Sequence, residues 1–132
     1  MKILVVDNDN DTGITLKALL SSYPDIYIEL AFSGKLAVQE LMANNRYDAV
    51  VIDIMMPEFS GLDVARMMGK NEKLKNIPII LMSSALPLPP TELLATMRTD
   101  PEMQSVKGVI EKPFVVETVA EVINQVVNPK TT

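Results

Sequence analysis

At four places in this chain polar side chains follow directly on runs rich in Val and Ile, and together their types suit one chemistry. Asp7 follows Ile3–Val6 and opens the stretch Asp7-Asn8-Asp9-Asn10-Asp11. Asp53 follows Ala49–Ile52 and precedes Ile54-Met55-Met56-Pro57, with Gly61 a little further on. Ser83-Ser84 follow Ile77–Met82, and Glu111-Lys112-Pro113-Phe114 follow Val106–Ile110. An acid cluster, a lone acid, a hydroxyl and a lysine can hold a hard cation and a phosphoryl group together. Mg²⁺ takes oxygen ligands in near-octahedral geometry, with carboxylates and phosphate oxygens among them. A carboxylate can also be the nucleophile in phosphoryl transfer and form an aspartyl phosphate. Such transfer is mostly positioning and neutralisation of charge on the equatorial oxygens. A lysine ammonium can neutralise one side, and a hydroxyl donor completes the cradle.

The elements that must position these groups are legible as an alternation. Strand-like runs at Ile3–Val6, Ile26–Leu30, Ala49–Ile52, Ile77–Met82 and Val106–Ile110 are separated by segments with apolar residues at helical spacing. Ile14, Leu16, Leu19 and Leu20 mark the first helix; Leu36, Ala37, Val38, Leu41 and Met42 mark the second. Leu62, Ala65, Met67 and Met68 mark the third, Leu93, Leu94 and Met97 the fourth, and Val116 through Val127 the last. Strands alternating with helices give a parallel sheet covered on both faces, a three-layer α/β/α fold. The continuous first, third and fourth runs suit central strands, whereas Ile26-Tyr27-Ile28-Glu29-Leu30 alternates and suits an edge. In such folds ligands bind at the carboxyl ends of the strands, near the switch point in strand order. All four polar clusters fall there.

Composition narrows the classes. A chain of 132 residues fits one domain with a substantial core. The absence of cysteine and histidine removes disulfides, thiolate and imidazole metal sites, and any triad with a histidine base. A net charge of −5 offers no basic face for direct nucleic-acid binding. The apolar runs are far shorter than the ~18 residues of a membrane helix, and Met1-Lys2 leads straight into a strand without a signal-peptide layout. A cytoplasmic location is the expectation. The acidic stretch after Asp7 also brushes an EF-hand loop, but its glycine, Gly13, is one place late and Ala18 stands where a bidentate Glu is needed.

Taken together, Asp7-Asn8, Asp53-Ile54-Met55-Met56-Pro57 with Gly61, Ser83 and Lys112-Pro113-Phe114 resemble the receiver domain of two-component response regulators, over Lys2 to about Val127. The resemblance implies a flavodoxin-like doubly wound sheet of five parallel strands in order 2-1-3-4-5 and a cis Lys112–Pro113 bond. It implies that Asp53 is the phosphoacceptor, Ser83 the switch hydroxyl and Lys112 the phosphate-facing lysine. Mg²⁺ would be held by Asp7, Asn8, Asp53 and the Met55 carbonyl. The implied function is a switch that takes its phosphoryl group from a histidine kinase or phosphotransfer protein. It would signal to a downstream protein target or a separate effector domain through the loop after the fourth strand and the face formed by helix four, strand five and helix five. A homodimer through that face is common in the family. The domain would catalyse its own phosphorylation and dephosphorylation without being a turnover enzyme. The expected organisation is a receiver over residues 1–128 with a short tail, 129–132.

The chain departs from the family at three places. Asn8 stands where most members carry a second acid, so weaker metal binding is expected, with Asp9 partly offsetting the loss through its field. Val109 replaces the usual aromatic of strand five. The segment from Ser84 to Gly108 is longer than usual and contains Leu86-Pro87-Leu88-Pro89-Pro90, so helix four should start at or after Pro89–Pro90. Leu86 and Leu88 are expected to pack on the core; the alternative is a partner surface beside the phosphorylation site. Asn8 and Val109 also motivate a rival function, a pseudo-receiver acting as a phosphorylation-independent interaction module. A phosphohydrolase with an aspartyl nucleophile would need an acid two residues after Asp53, where Met55 stands.

Overall fold

The computed structural model describes residues 1–129. Residues 130–132, most of the expected tail, lie outside the described residues. Five strands, β1 (Lys2–Val6), β2 (Tyr27–Ala31), β3 (Ala49–Asp53), β4 (Ile79–Ser83) and β5 (Val106–Glu111), form one parallel sheet in the order β2-β1-β3-β4-β5. Between and after them run α1 (Asn10–Leu20), α2 (Gly34–Ala43), α3 (Gly61–Lys70), α4 (Pro90–Met97) and α5 (Val116–Val127). A 3-10 turn, η1 (Pro101–Met103), lies between α4 and β5. The fold class and strand order are those expected.

Strand residues alternate between two core layers, as the two-residue pleat requires. Leu4 and Val6 of β1, Val50 and Ile52 of β3, and Ile79 and Leu81 of β4 face the layer shared with α2 and α3. Ile3 and Val5, Ala49 and Val51, and Ile80 and Met82 face the layer shared with α1 and α5. Each fully buried Leu or Ile contributes roughly 2 kcal/mol of transfer free energy. Burial on both faces explains why β1, β3 and β4 read as unbroken apolar runs.

The boundaries differ from expectation where local chemistry intervenes. β4 starts at Ile79 rather than Ile77, since Pro78 has no N–H for the ladder. β2 is displaced by one residue to Tyr27–Ala31, and a bulge at Lys107 shifts the β4–β5 register. In α1 the inner face is Gly13, Leu16 and Leu20, which leaves Ile14 and Leu19 exposed; Leu36 and Met42 of α2 are exposed likewise. α4 begins at Pro90, as its prolines imply. Leu88 corrects the packing expectation: it is 38% exposed, and neither it nor half-buried Leu86 is among the side chains packed on either core layer. Pro87 and Pro89 flank Leu88, fix φ on either side of it and offer no N–H to the sheet.

Candidate functional site

The site lies at the carboxyl edge of the sheet, beside the switch point between β1 and β3. Asp7 follows β1, and its N–H donates to the Ala31 carbonyl at 3.1 Å. Asp53 is the last residue of β3, Ser83 the last of β4, and Lys112 follows β5. The Lys112 N–H donates to the Ser83 carbonyl at 2.9 Å, and the Lys112–Pro113 peptide is cis. This backbone frame delivers the lysine to both acids. Its Nζ lies 2.7 Å from Asp53 Oδ2 and 3.0 Å from Asp7 Oδ2.

Each acid spends its other oxygen on a backbone donor. Asp7 Oδ1 accepts the Asp9 N–H at 2.9 Å, and Asp53 Oδ1 accepts the Met55 N–H at 2.8 Å. Both carboxylates are therefore oriented before any ligand arrives. Gly61, the first residue of α3, packs directly against the Asp53 carbonyl and Ile52, where a Cβ would overlap both. A capping box between Ser60 and Asp63 fixes where α3 begins.

The electrostatics are those of a partly buried trio. Asp7 is 1% exposed, and burial pushes its carboxyl above the usual range against the opposing pull of the Asp9 N–H and Lys112. Burial also works against the Lys112 charge, but the hydrogen bonds to Asp53 and Asp7 outweigh it and hold the ammonium above its usual range. Two carboxyl groups thus share one lysine.

The remaining expected residues divide. Ser83 is fully buried beside Asp53 in the strand order, and its hydroxyl accepts the Ala85 N–H at 3.1 Å rather than bonding to the acid. Asn8 is exposed. Asp9 serves as the N-cap of α1, accepting from the Asp11 and Thr12 N–H groups and from the Thr12 hydroxyl at 2.9 Å. The Thr12 hydroxyl holds its carboxyl below the usual range. Its charge is thus committed to the helix end. Val109 is half-buried against the α3-side core layer.

Oxygen donors suited to Mg²⁺ are all present: the Asp7 and Asp53 carboxylates, the Asn8 amide and the Met55 carbonyl, which no backbone N–H claims among the described residues. The donor set fits a hard cation at low charge. No group of three or more His, Cys, Asp or Glu residues suited to a metal occurs among the described residues.

Two features were not legible in the sequence. Glu58 has φ 66°, the left-handed region, and the Phe59 N–H donates to the Pro57 carbonyl across it at 2.7 Å. No Gly or Asn marks this turn. The turn η1 docks on α3 through Arg66–Asp100 at 2.9 Å and Lys70–Glu102 at 3.1 Å. Only the extra length before β5 hinted at it.

Comparison with known proteins agrees with this geometry. Residues 3–124 match the response regulator receiver domain. The chain is 39% identical over 84 residues to response regulator MprA of Mycobacterium sp. (strain KMS), a match covering 64% of this chain and 35% of that protein. The chain thus spans about a third of the length of the curated relatives it matches. The receiver domain of Francisella response regulator 1452 superposes with a TM-score of 0.76 at 28% identity, covering 96% of this chain and 95% of that one. A response regulator receiver domain protein from Clostridium thermocellum shares the fold, with a TM-score of 0.80 at 21% identity and coverage of 96% and 94%.

Proposed function

Because this chain belongs to the response regulator receiver domain family, we propose that Asp53 accepts a phosphoryl group and that its modification switches protein partners. The observation that carries the proposal is the 2.7 Å contact between Lys112 Nζ and Asp53 Oδ2 at the switch point of the sheet. It supports the reading because a carboxylate oxygen and an ammonium meet there in one partly buried site.

In the transfer, an Asp53 carboxylate oxygen attacks phosphorus, forming the acyl–phosphate bond as the bond from phosphorus to the donor breaks. The donor is a phosphohistidine of a histidine kinase or phosphotransfer protein. The Met55 N–H bond holds the Asp53 carboxylate in one orientation, and Lys112 neutralises oxygens of the arriving group. Asp7 keeps the lysine in place from its other side. The residues that would hold Mg²⁺ are Asp7, Asn8, Asp53 and the Met55 carbonyl, and the ion would supply further charge neutralisation. Ser83, whose hydroxyl accepts the Ala85 N–H, can turn to donate that hydroxyl to a phosphate oxygen and so pull on the loop into α4.

The output runs through that loop and the α4–β5–α5 face. A groove of about 800 Å³ runs along β5, lined by Leu94 of α4, Lys107 and Val109 of β5, and Val122 and Val126 of α5. In this reading a downstream protein, a separate effector domain or a second copy of the chain would dock there. The domain, residues 1–128, acts as a switch rather than a turnover enzyme, at a cytoplasmic location. No helix among the described residues is long and apolar enough to cross a membrane.

Exposed Asn8 favours the rival reading, an interaction module independent of phosphate. The two readings separate on intact mass. After incubation with acetyl phosphate and Mg²⁺, wild type gains one phosphoryl group and Asp53→Asn gains none. A folded wild-type protein without an Asp53-dependent adduct would overturn the phosphorylation reading.

A further inference from the structure

The connection from α4 to β5 is built as a fastening. Asp100 caps η1 by accepting the Glu102 N–H at 3.0 Å while its other oxygen takes Arg66 at 2.9 Å. Gln104 Nε2 closes the turn, donating to the Asp100 carbonyl at 2.7 Å and the Arg98 carbonyl at 2.9 Å. Met103 is buried in the same core layer as α3. Ser105, 3% exposed, donates its hydroxyl to the Lys75 carbonyl at 2.6 Å, and its backbone carbonyl accepts the Ile79 N–H at 2.7 Å. On the α3 side, Gly69 lets the two backbones touch: a Cβ there would overlap the Glu102 carbonyl. Glu102 then pairs with Lys70 at 3.1 Å.

The other end of α4 is held far less. Its N-cap, Pro89, makes no side-chain bond, and Ser84, Ala85, Pro87, Leu88 and Pro89 are exposed. In the loop before it, the Ala85 N–H bond to the Ser83 hydroxyl is the tie that phosphorylation would remake. Leu93 is the only fully buried residue of the helix.

We propose that residues 98–105 are a strap that fixes the C-terminal end of α4 to α3, so that α4 responds to the site only through its first turn and the 84–89 loop. The pivot rests on the phosphorylation of Asp53 proposed above; the strap does not. Local opening free energies follow how each segment is tied down, so the strap and the loop should exchange amide hydrogens very differently.

The test is hydrogen exchange with mass spectrometry on the whole chain, for wild type, Gly69→Ala and Glu102→Lys, before and after treatment with acetyl phosphate and Mg²⁺. Thermal melting of each variant confirms a folded protein, and Glu102→Lys keeps the strap test standing if Gly69→Ala fails to fold. Before phosphorylation, both variants should exchange roughly tenfold faster over 94–105, with 84–93 unchanged. Unchanged exchange over 94–105 in a folded variant overturns the strap. After phosphorylation, and within 84–105, wild type should change over 84–93 alone, and the variants over 84–98. A wild-type change that reaches 99–105 to the same degree overturns the pivot. Absence of a phosphoryl adduct by intact mass removes the Asp53 reading and the pivot with it, while the first comparison still decides the strap.

Discussion

The two ends of α3 carry nearly the same ingredients and use them differently. At its N-terminal end Gly61 lies against the Asp53 carbonyl, and at its C-terminal end Gly69 lies against the Glu102 carbonyl. Each end thus needs a missing side chain so that two backbones can touch. Beside the first sits a trio of two acids and a lysine; beside the second sit two acids with Arg66 and Lys70. Burial separates them. Asp7, Asp53 and Lys112 expose 1%, 9% and 18% of their side chains, whereas the members of the other cluster expose 31–63%. Charges near a surface are screened and worth little singly, while partly buried charges are perturbed and can do chemistry. The same residue types give the proposed phosphorylation site at one end and a fastening at the other.

The contrast is most exposed to test at the two cations. Lys112→Met leaves two partly buried acids without their counter-charge and should cost about 3 kcal/mol in urea unfolding at neutral pH. Arg66→Ala should cost at most about 1 kcal/mol, and less as salt is added. Equal losses for the two variants would break the distinction drawn from burial.

Asn8→Asp sharpens the account of the Asp53 end by adding a carboxylate. Mg²⁺ affinity, measured by calorimetry on unphosphorylated protein, should rise roughly tenfold, since 1.4 kcal/mol of added attraction is well within what one charge near a surface supplies. Unchanged affinity would mean that the low charge of the donor set does not limit metal binding.

Glu58→Gly addresses strain beside the same site. A residue at φ 66° without a side chain should stabilise the fold by about 1 kcal/mol in the same unfolding measurement. A loss of stability would show that the Glu58 side chain contributes more than its backbone costs.

The smallest effect, and the one that compares the ends most directly, is pH dependence. The Asp7 carboxyl is raised by burial, so its contribution favours the fold below the ordinary carboxylate range and is lost as pH rises through its folded value. The Asp100 carboxyl is lowered, first by the Glu102 N–H and then by Arg66, so its contribution is present at neutral pH and lost as pH falls below the ordinary range. Relative to wild type, Asp100→Asn should therefore lose stability as pH rises from strongly acidic values into the ordinary carboxylate range, and Asp7→Asn should gain it as pH rises from that range toward neutral. Melting curves from strongly acidic to neutral pH check both, and the same sign in both variants would refute the assignment. Lys112, raised by its two acids, adds stability that disappears only as alkaline pH passes its folded value.

Much of this molecule could be read from the chain alone. The alternation of Val- and Ile-rich runs with helically spaced apolar segments determined the layered fold, because strands buried on both faces need unbroken apolar sequence. The placing of Asp7, Asp53, Ser83 and Lys112 after those runs determined that they share one edge, because parallel strands bring all their carboxyl ends to the same side. What tertiary structure decided was which charges are paired, capped or free. Asp7 and Asp9 are both acids after one strand, yet one meets Lys112 and the other caps α1, and nothing in their identities tells them apart. Leu88 and Leu93 are both leucines after Ser83, yet one faces water and the other is buried. The α3–η1 contact joins residues more than thirty positions apart, through backbones that meet only once the sheet has formed. Composition and periodicity are local properties of a sequence; burial and pairing are properties of the packed chain, and here they divide a site from a fastening.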